Sequence, residues 1–368
     1  MTEIRPLELQ DIDRVAALYQ STFSGSGRPA SPILSRSLKA FYLDGPGADR
    51  DIPSLVHVDG DGGVSGFVGV NTVPMVFAGR PMKVAFAGAL MVGQPRRDPL
   101  AGARLLKAFL AGPQQLSISE TANKTSLDMS KALKGVAFPT YSLEWMRAFT
   151  PAAFACDMVL RHSRLRRAVL PIARGLDTLA RRTSFGSSLA MGQSGSNRAA
   201  LSTHPVDAEG FAEAVEALTA HYPMRPCWSA GDLRHVVAEA MDKPAYGQPV
   251  ALIATKGGGA MAGAFLYHLR PGGVGRVFQL MALPGRESDA VDCLFADAAA
   301  RGAAGLRGRT QPALLNGLLG KKPMFANASS TVVFSGDEDI LDAFRTGRAF
   351  VNGIAGESWG RHIGGGFG

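Results

Sequence analysis

The stretch from Phe86 to Leu110 constrains the fold of this chain more than any other. Phe86 to Val92 is an apolar run, Gly93 and Pro95 break it, and Leu100, Ala103, Leu106 and Leu110 then recur near one face of a helix. The pattern predicts a buried strand, a turn and an amphipathic helix. Arg96, Arg97 and Gly102 lie at the junction, so the turn offers two cations, the free amides of a helix start and a glycine for close approach. Those features suit a phosphate, and they also suit a plain structural connector.

The rest of the first half supplies the setting. Glu3 to Leu7 reads as an edge strand, and Asp11 precedes a helix with Ile12, Val15, Ala16, Leu18, Tyr19 and Phe23 along one stripe. A second helix is expected over Ile33 to Tyr42. Ser54–Val58, the turn D-G-D-G-G, Val64–Val76, the turn A-G-R-P and Met82–Val92 then read as a three-strand meander. Beyond the helix, Leu116–Ser119 is expected as a short strand, followed by a helix to Lys134 and the run G-V-A-F.

In this order of elements, and in the loop, the chain resembles the GNAT acyltransferase superfamily, whose pyrophosphate loop follows a strand, opens a helix and has the pattern Arg/Gln-x-x-Gly-x-Gly/Ala. Arg97, Leu100 and Gly102 fall on its three fixed positions, with Leu100 in place of the first glycine. The resemblance implies an α/β fold with a mixed, mainly antiparallel sheet flanked by helices. It further implies that Arg96, Arg97, Gly102 and Ala103 hold the pyrophosphate of acetyl-CoA or another acyl-CoA, that Leu90, Met91 and Val92 pair with pantetheine, and that Asn123 orients the acyl end. No metal is implied.

For the chemistry, Glu120 is the preferred base, since it closes a predicted strand beside the splay that would admit the donor; an exposed loop carboxylate is the bland alternative. His57 is a weaker one. The tyrosine that many members carry as general acid has no counterpart in M-S-K-A-L-K, where Ser130 is nearest and Tyr141 is the only substitute close by.

At 368 residues two domains are expected, and 46% apolar with 19% charged residues is globular composition. Cys156, Cys227 and Cys293 are isolated, which indicates neither a disulfide framework nor a zinc site. No apolar run is long enough to span a membrane, and M-T-E-I-R-P is no signal core, so the cytoplasm is the default.

The net charge of +8 is concentrated in the middle, where seven arginines stand against Asp157 and Asp177 between 149 and 182. Leu160, Leu165, Val169, Ile172, Leu176 and Leu179 can form an apolar face there. This basic amphipathic segment is compatible with an anionic membrane surface through 155–182, which would make the protein peripheral at the inner face, or with an interdomain helix pair. The linker-like G-S-S-L-A-M-G-Q-S-G-S-N follows.

From Val206 the element order of the first half recurs without its sequence, which resembles tandem GNAT-like folds such as the Fem-type transferases. The expected divisions are an acyl-CoA-binding domain over 1–148, a basic helical linker over 149–200, a degenerate GNAT-like domain over 201–335, and a terminal helix with a Gly-rich tail over 336–368. Glu287, Asp289 and Asp292 open the helix where the second copy would hold phosphate, and like charge there repels it. A final strand is expected over Phe325–Phe334. Trp359, Arg361 and His362 in the tail could cover a ligand, although terminal disorder is the commoner state of such a sequence.

The function this implies is acyl transfer from acyl-CoA to a small-molecule or peptide amine or hydroxyl by direct attack in a ternary complex. The alternatives are a catalytically silent tandem scaffold on a membrane or an acidic partner, and Fem-type aminoacyl transfer. Nucleic-acid recognition ranks last, because no zinc-finger, basic-zipper or RNA-binding motif is present.

Overall fold

The computed structural model describes residues 2–24, 29–160, 166–181 and 201–365. The chain forms two units, one from Met1–Ser142, Tyr222–Ala240 and Asn327–Gly368, the other from Leu143–His221 and Met241–Ala326.

The first unit opens with β1 (Glu3–Pro6), α1 (Ile12–Tyr19) and α2 (Pro32–Lys39), then β2 (Leu55–Val58), β3 (Val64–Phe77) and β4 (Arg80–Val92). It continues through α3 (Ala101–Leu110), β5 (Leu116–Ala122), α4 (Lys124–Ala132), β6 (Val136–Ala137) and α5 (Pro139–Ser142). Local chemistry accounts for these elements. Ile12, Val15, Ala16 and Leu18 are the buried stripe of α1. Ser31 caps α2 by accepting the Ile33 amide at 3.2 Å, with Pro32 in the first turn. Ala78 and Gly79, both at positive φ, turn β3 into β4.

Next come β7 (Leu143–Ala148), α6 (Pro151–Leu160), α7 (Arg166–Arg181), β8 (Ser202–Pro205) and the helix Ala208–Thr219, all of the second unit. The chain returns to the first unit for β9 (Met224–Pro226) and the helix Ala230–Met241. It then builds the second unit's β10 (Gln248–Thr255), β11 (Met261–Leu269), β12 (Val274–Ala282), the helix Glu287–Ala300, β13 (Gly305–Arg309), the helix Leu315–Leu319 and β14 (Met324–Asn327). The last elements are β15 (Ser330–Phe334) and the helix Glu338–Arg345.

Each unit holds one mixed sheet. The first runs β1-β2-β3-β4-β5-β15-β6, with β9 on the far end of β3; the second runs β14-β7-β13-β12-β11-β10-β8. In both, an antiparallel meander leads through a helix into a parallel strand, β4 to β5 and β12 to β13. The core under the first crossover packs Val68, Val70, Ala85 and Ala87 of the sheet with Leu105, Leu106 and Phe109 of α3. In the second unit Trp145, Phe265, Val291, Leu294 and Leu306 belong to the corresponding cluster.

The strands beside β5 and β13 are distant in sequence. β15 completes the first sheet and β7 the second, so the boundary expected at 148 falls at Ser142/Leu143. The single strand expected over 325–334 is two, β14 and β15, in different sheets. The terminal helix and tail, expected as a separate piece, belong to the first unit.

The helix α7 buries Leu170, Ala173 and Asp177 and leaves Val169, Ile172 and Leu176 exposed, so the apolar face expected there is not the packed one. Asp177 accepts the Ala152 and Ala153 amides at the start of α6, both at 2.9 Å, and Asp157 accepts the Val274 amide at 2.8 Å. Both acids of the basic segment are thus used inside the unit. Arg161, Arg164, Leu165, Arg182 and the linker 186–197 lie outside the described residues. No described helix is long and apolar enough to cross a membrane.

Candidate active site

The geometry that matters starts where β4 and β5 part. They pair in parallel only at Val84–Leu116, Ala85–Ser117 and Phe86–Ile118. Beyond that point β4 pairs only with β3 through Val92, and β5 only with β15 through Ala122. The result is a fork whose two inner edges carry backbone groups with no strand partner among the described residues. A bulge sets its upper arm, since Ala89 and Leu90 together oppose Val68, and Ala89 takes a left-handed φ of 48°.

The C-terminal segment enters this fork. Glu357, only 5% exposed, accepts a hydrogen bond at Oε1 from the Thr121 hydroxyl at 3.0 Å on the β5 side. On the β4 side its Oε2 lies 2.1 Å from where a Cβ on Gly88 would be, so only glycine admits it. Glu120, 2% exposed, accepts the Glu357 amide at Oε2 (3.2 Å) and the Ser358 hydroxyl at 3.4 Å. The Asn71 side-chain amide donates to the Gly356 carbonyl at 3.2 Å. Two carboxyl groups therefore share one buried polar cluster near the closed end of the fork.

An aromatic wall stands next to it. Gly69 is the β3 register partner of Gly88, and a Cβ there would fall 2.5 Å from the Tyr42 ring, so the phenol takes that space. The Tyr42 hydroxyl lies 3.4 Å from His362 Nε2. Burial, with Glu357 and Tyr19 adding to it, holds the phenol's pKa well above its usual value. Phe41 packs on Trp359 at 4.6 Å and on His362 at 4.5 Å between ring centres.

At the open end of β4 the loop folds on itself. The Arg97 and Asp98 amides bond back to the Gln94 carbonyl, and Asp98 is held by Arg104 and by His57 Nε2 at 3.4 Å. Arg96 and Arg97 stay exposed, and among the described residues neither has an ion-pair partner. The Gly102 and Ala103 amides, in the first turn of α3, have no acceptor among the described residues.

No family model matches the sequence, and no curated protein does. Solved structures do match. A GCN5-related N-acetyltransferase from Kribbella flavida is 14% identical with a TM-score of 0.54 over 90% of this chain and 70% of that one. A protein of unknown function from Enterococcus faecalis V583, described as a probable N-acyltransferase, is 9% identical with a TM-score of 0.56, covering 90% and 72%. A GCN5-related N-acetyltransferase from Anabaena variabilis is 10% identical with a TM-score of 0.55 over the same shares. The chain has the GCN5-related N-acetyltransferase fold.

On that fold the sequence-predicted residues fall in different places. Leu90, Met91 and Val92 form the open arm of the fork, and Arg96, Arg97, Gly102 and Ala103 line the cationic turn at its end. Gly102 has ordinary room for a Cβ, 3.5 Å from Val92 Cγ2, so the glycine is not forced by packing. Glu120 is buried on a strand in the fork, not on an exposed loop. Asn123 is exposed and caps α4, its Oδ1 accepting the Ser126 amide at 2.9 Å, which commits one lone pair of that oxygen to the helix start.

Tyr141 does not join the cluster. It is fully buried and donates its hydroxyl to the Ala349 carbonyl at 2.8 Å, and burial raises its pKa; the phenol expected as a proton donor is a core residue. His57, held on Ser65 Oγ at 2.8 Å and facing Asp98, braces the cationic turn. The site residues that the sequence did not single out are Tyr42, Asn71, Thr121 and Glu357. The sequence signals near them are the glycines Gly69 and Gly88 inside β3 and β4.

In the second unit β12 and β13 pair from Val274–Gly305 to Val277–Gly308, with β12 again running on. Here the start of the helix Glu287–Ala300 is covered. A Cβ on Gly317 would lie 2.9 Å from the Glu287 carbonyl carbon, so the helix Leu315–Leu319 sits directly against that first turn. Among the described residues no group of His, Cys, Asp and Glu is placed to hold a metal ion.

Proposed function

We propose that the first unit is an acyltransferase that moves the acyl group of acetyl-CoA, or of a related acyl-CoA, to an amine or hydroxyl acceptor in a ternary complex. The observation that carries this is the fork, an open β4 edge leading from a cationic helix start to a buried carboxylate. Each part fits one part of the donor. Arg96, Arg97 and the free Gly102 and Ala103 amides suit the pyrophosphate. The Leu90–Val92 backbone edge suits the amides of pantetheine.

Glu120 receives the proton of the acceptor N–H or O–H. The acceptor's electron pair forms the new bond to the thioester carbonyl carbon, the carbon–sulfur bond breaks, and its electron pair leaves with sulfur. Tyr42 replaces Tyr141 as the phenol beside this step, and its raised pKa keeps it protonated at neutral pH. A thiolate whose conjugate acid has a pKa of ~8.5 leaves with little assistance and takes its proton from water, and Glu120 gives the acceptor's proton back to solvent, which closes the cycle. The second unit takes no donor in this scheme, because Glu287 and Asp289 repel phosphate and Gly317 packs where it would sit.

Isothermal titration with acetyl-CoA and free CoA tests the assignment. Arg97→Glu is expected to weaken both at least ~10-fold through loss of a charge-assisted contact and introduced repulsion. Affinity unchanged by that substitution overturns it.

A further inference from the structure

Glu357 has no role in the step just described, yet it is the side chain that spans the fork. We infer that it is the specificity determinant that restricts the donor to short acyl groups such as acetyl and propanoyl. This rests on the proposed use of the fork for acyl-CoA.

The argument follows the β4 edge. From Val92 back to Gly88 is four residues, about 13 Å of strand, the stretch assigned to pantetheine. From Gly88 to Phe86, where β4 and β5 are paired again, is only two residues, about 7 Å. The acyl group must fit within that last interval, and the Glu357 carboxylate is already there, between Gly88 and the Thr121 hydroxyl. The missing Cβ of Gly88 is therefore no acyl pocket. Its space holds an acid.

A longer chain would have to press methylenes against a carboxylate that is 5% exposed or push it aside. The first strips polar contacts from a buried acid, which is strongly unfavourable. The second is opposed by the anchoring of the segment, through the Glu357 amide on Glu120, the Gly356 carbonyl on Asn71 and Trp359 on Phe41.

The test is a titration series of the whole chain with CoA, acetyl-CoA, butanoyl-CoA and octanoyl-CoA, repeated with Glu357→Ala and Glu357→Gln. In the wild type, CoA and acetyl-CoA should bind alike and octanoyl-CoA at least ~10-fold more weakly. Glu357→Ala should remove most of that gap, and Glu357→Gln, which keeps the bulk, should remove less. Octanoyl-CoA binding as tightly as acetyl-CoA to the wild type overturns the inference alone. Failure of CoA itself to bind removes the donor site and this inference with it.

Discussion

The Glu357 amide donates to Oε2 of Glu120 at 3.2 Å across 237 positions of sequence. This bond ties Glu120 of β5 to the C-terminal segment that carries Glu357, so the tail positions the proposed base. Substituting Glu120 separates chemistry from folding. Glu120→Gln keeps an oxygen to accept the Glu357 amide and removes the basic one. Its kcat should fall ~10²- to 10⁴-fold, the usual worth of a positioned base, while the melting temperature stays close to wild type. Steady-state kinetics on a responsive acceptor with parallel thermal melts checks this, and full activity in the Gln variant would exclude Glu120 as the base.

The glycine pair gives a steric prediction. Gly88→Ala would put a Cβ 2.1 Å from Glu357 Oε2, and Gly69→Ala would put one 2.5 Å from the Tyr42 ring. The neighbour must move in either case, so each variant should lose about 1–3 kcal/mol in urea denaturation. Gly79→Ala, which meets nothing within 4 Å but sits at a φ of 81°, provides the contrast, with a cost of about 1 kcal/mol from backbone strain alone.

How much of this was legible in the sequence depends on the range over which each feature is decided. Helices and strands follow local periodicity, and the meander, the crossover α3 and their recurrence in the second half were readable for that reason. The pairing of β15 with β5 and of β7 with β13 was not, because short apolar strands carry no label for their sheet. Glu120 was readable as a candidate from its place at a strand end. Its burial was not, since the segment that covers it is glycine-rich and reads as a frayed terminus. Tyr141 misled because a tyrosine near the right position says nothing about where its hydroxyl goes, and here it goes to Ala349. The stripe Val169, Ile172 and Leu176 had helical spacing, but the helix packs through Leu170 and Ala173 instead.

An acid-side prediction comes from the ion pair below α1. Arg5 donates to Asp11 Oδ2 at 2.6 Å and to Oδ1 at 2.9 Å, and this holds the Asp11 pKa below its ordinary value. A carboxylate depressed in the folded state stabilises above its unfolded pKa and loses that stabilisation as pH falls through the folded pKa. Asp11→Asn should therefore cost about 1 kcal/mol at pH 7, with the gap to wild type closing as the pH is taken below ~3.9. Urea midpoints at pH 7 and in the acid range measure it. A gap that stays constant with pH would assign the effect to packing.

The tail supplies the last test, since a docked segment and a frayed one predict opposite results. Trp359 is 1% exposed, with Phe41 at 4.6 Å and Trp228 at 6.4 Å between ring centres. His362 is also buried, and Phe41 would clash with a Cβ on Gly360 at 2.4 Å. Trp359→Ala should then cost about 3–5 kcal/mol, as for other buried aromatics cut to alanine. Because Glu357 lies two residues away, the same substitution should loosen the fork and make the 352–362 segment a protease target in the folded protein. Trp359→Phe, which refills most of the volume, should restore most of both. If the tail were detached in solution, neither substitution would move the denaturation midpoint and wild type would already be cut there, which would also remove Glu357 from the fork.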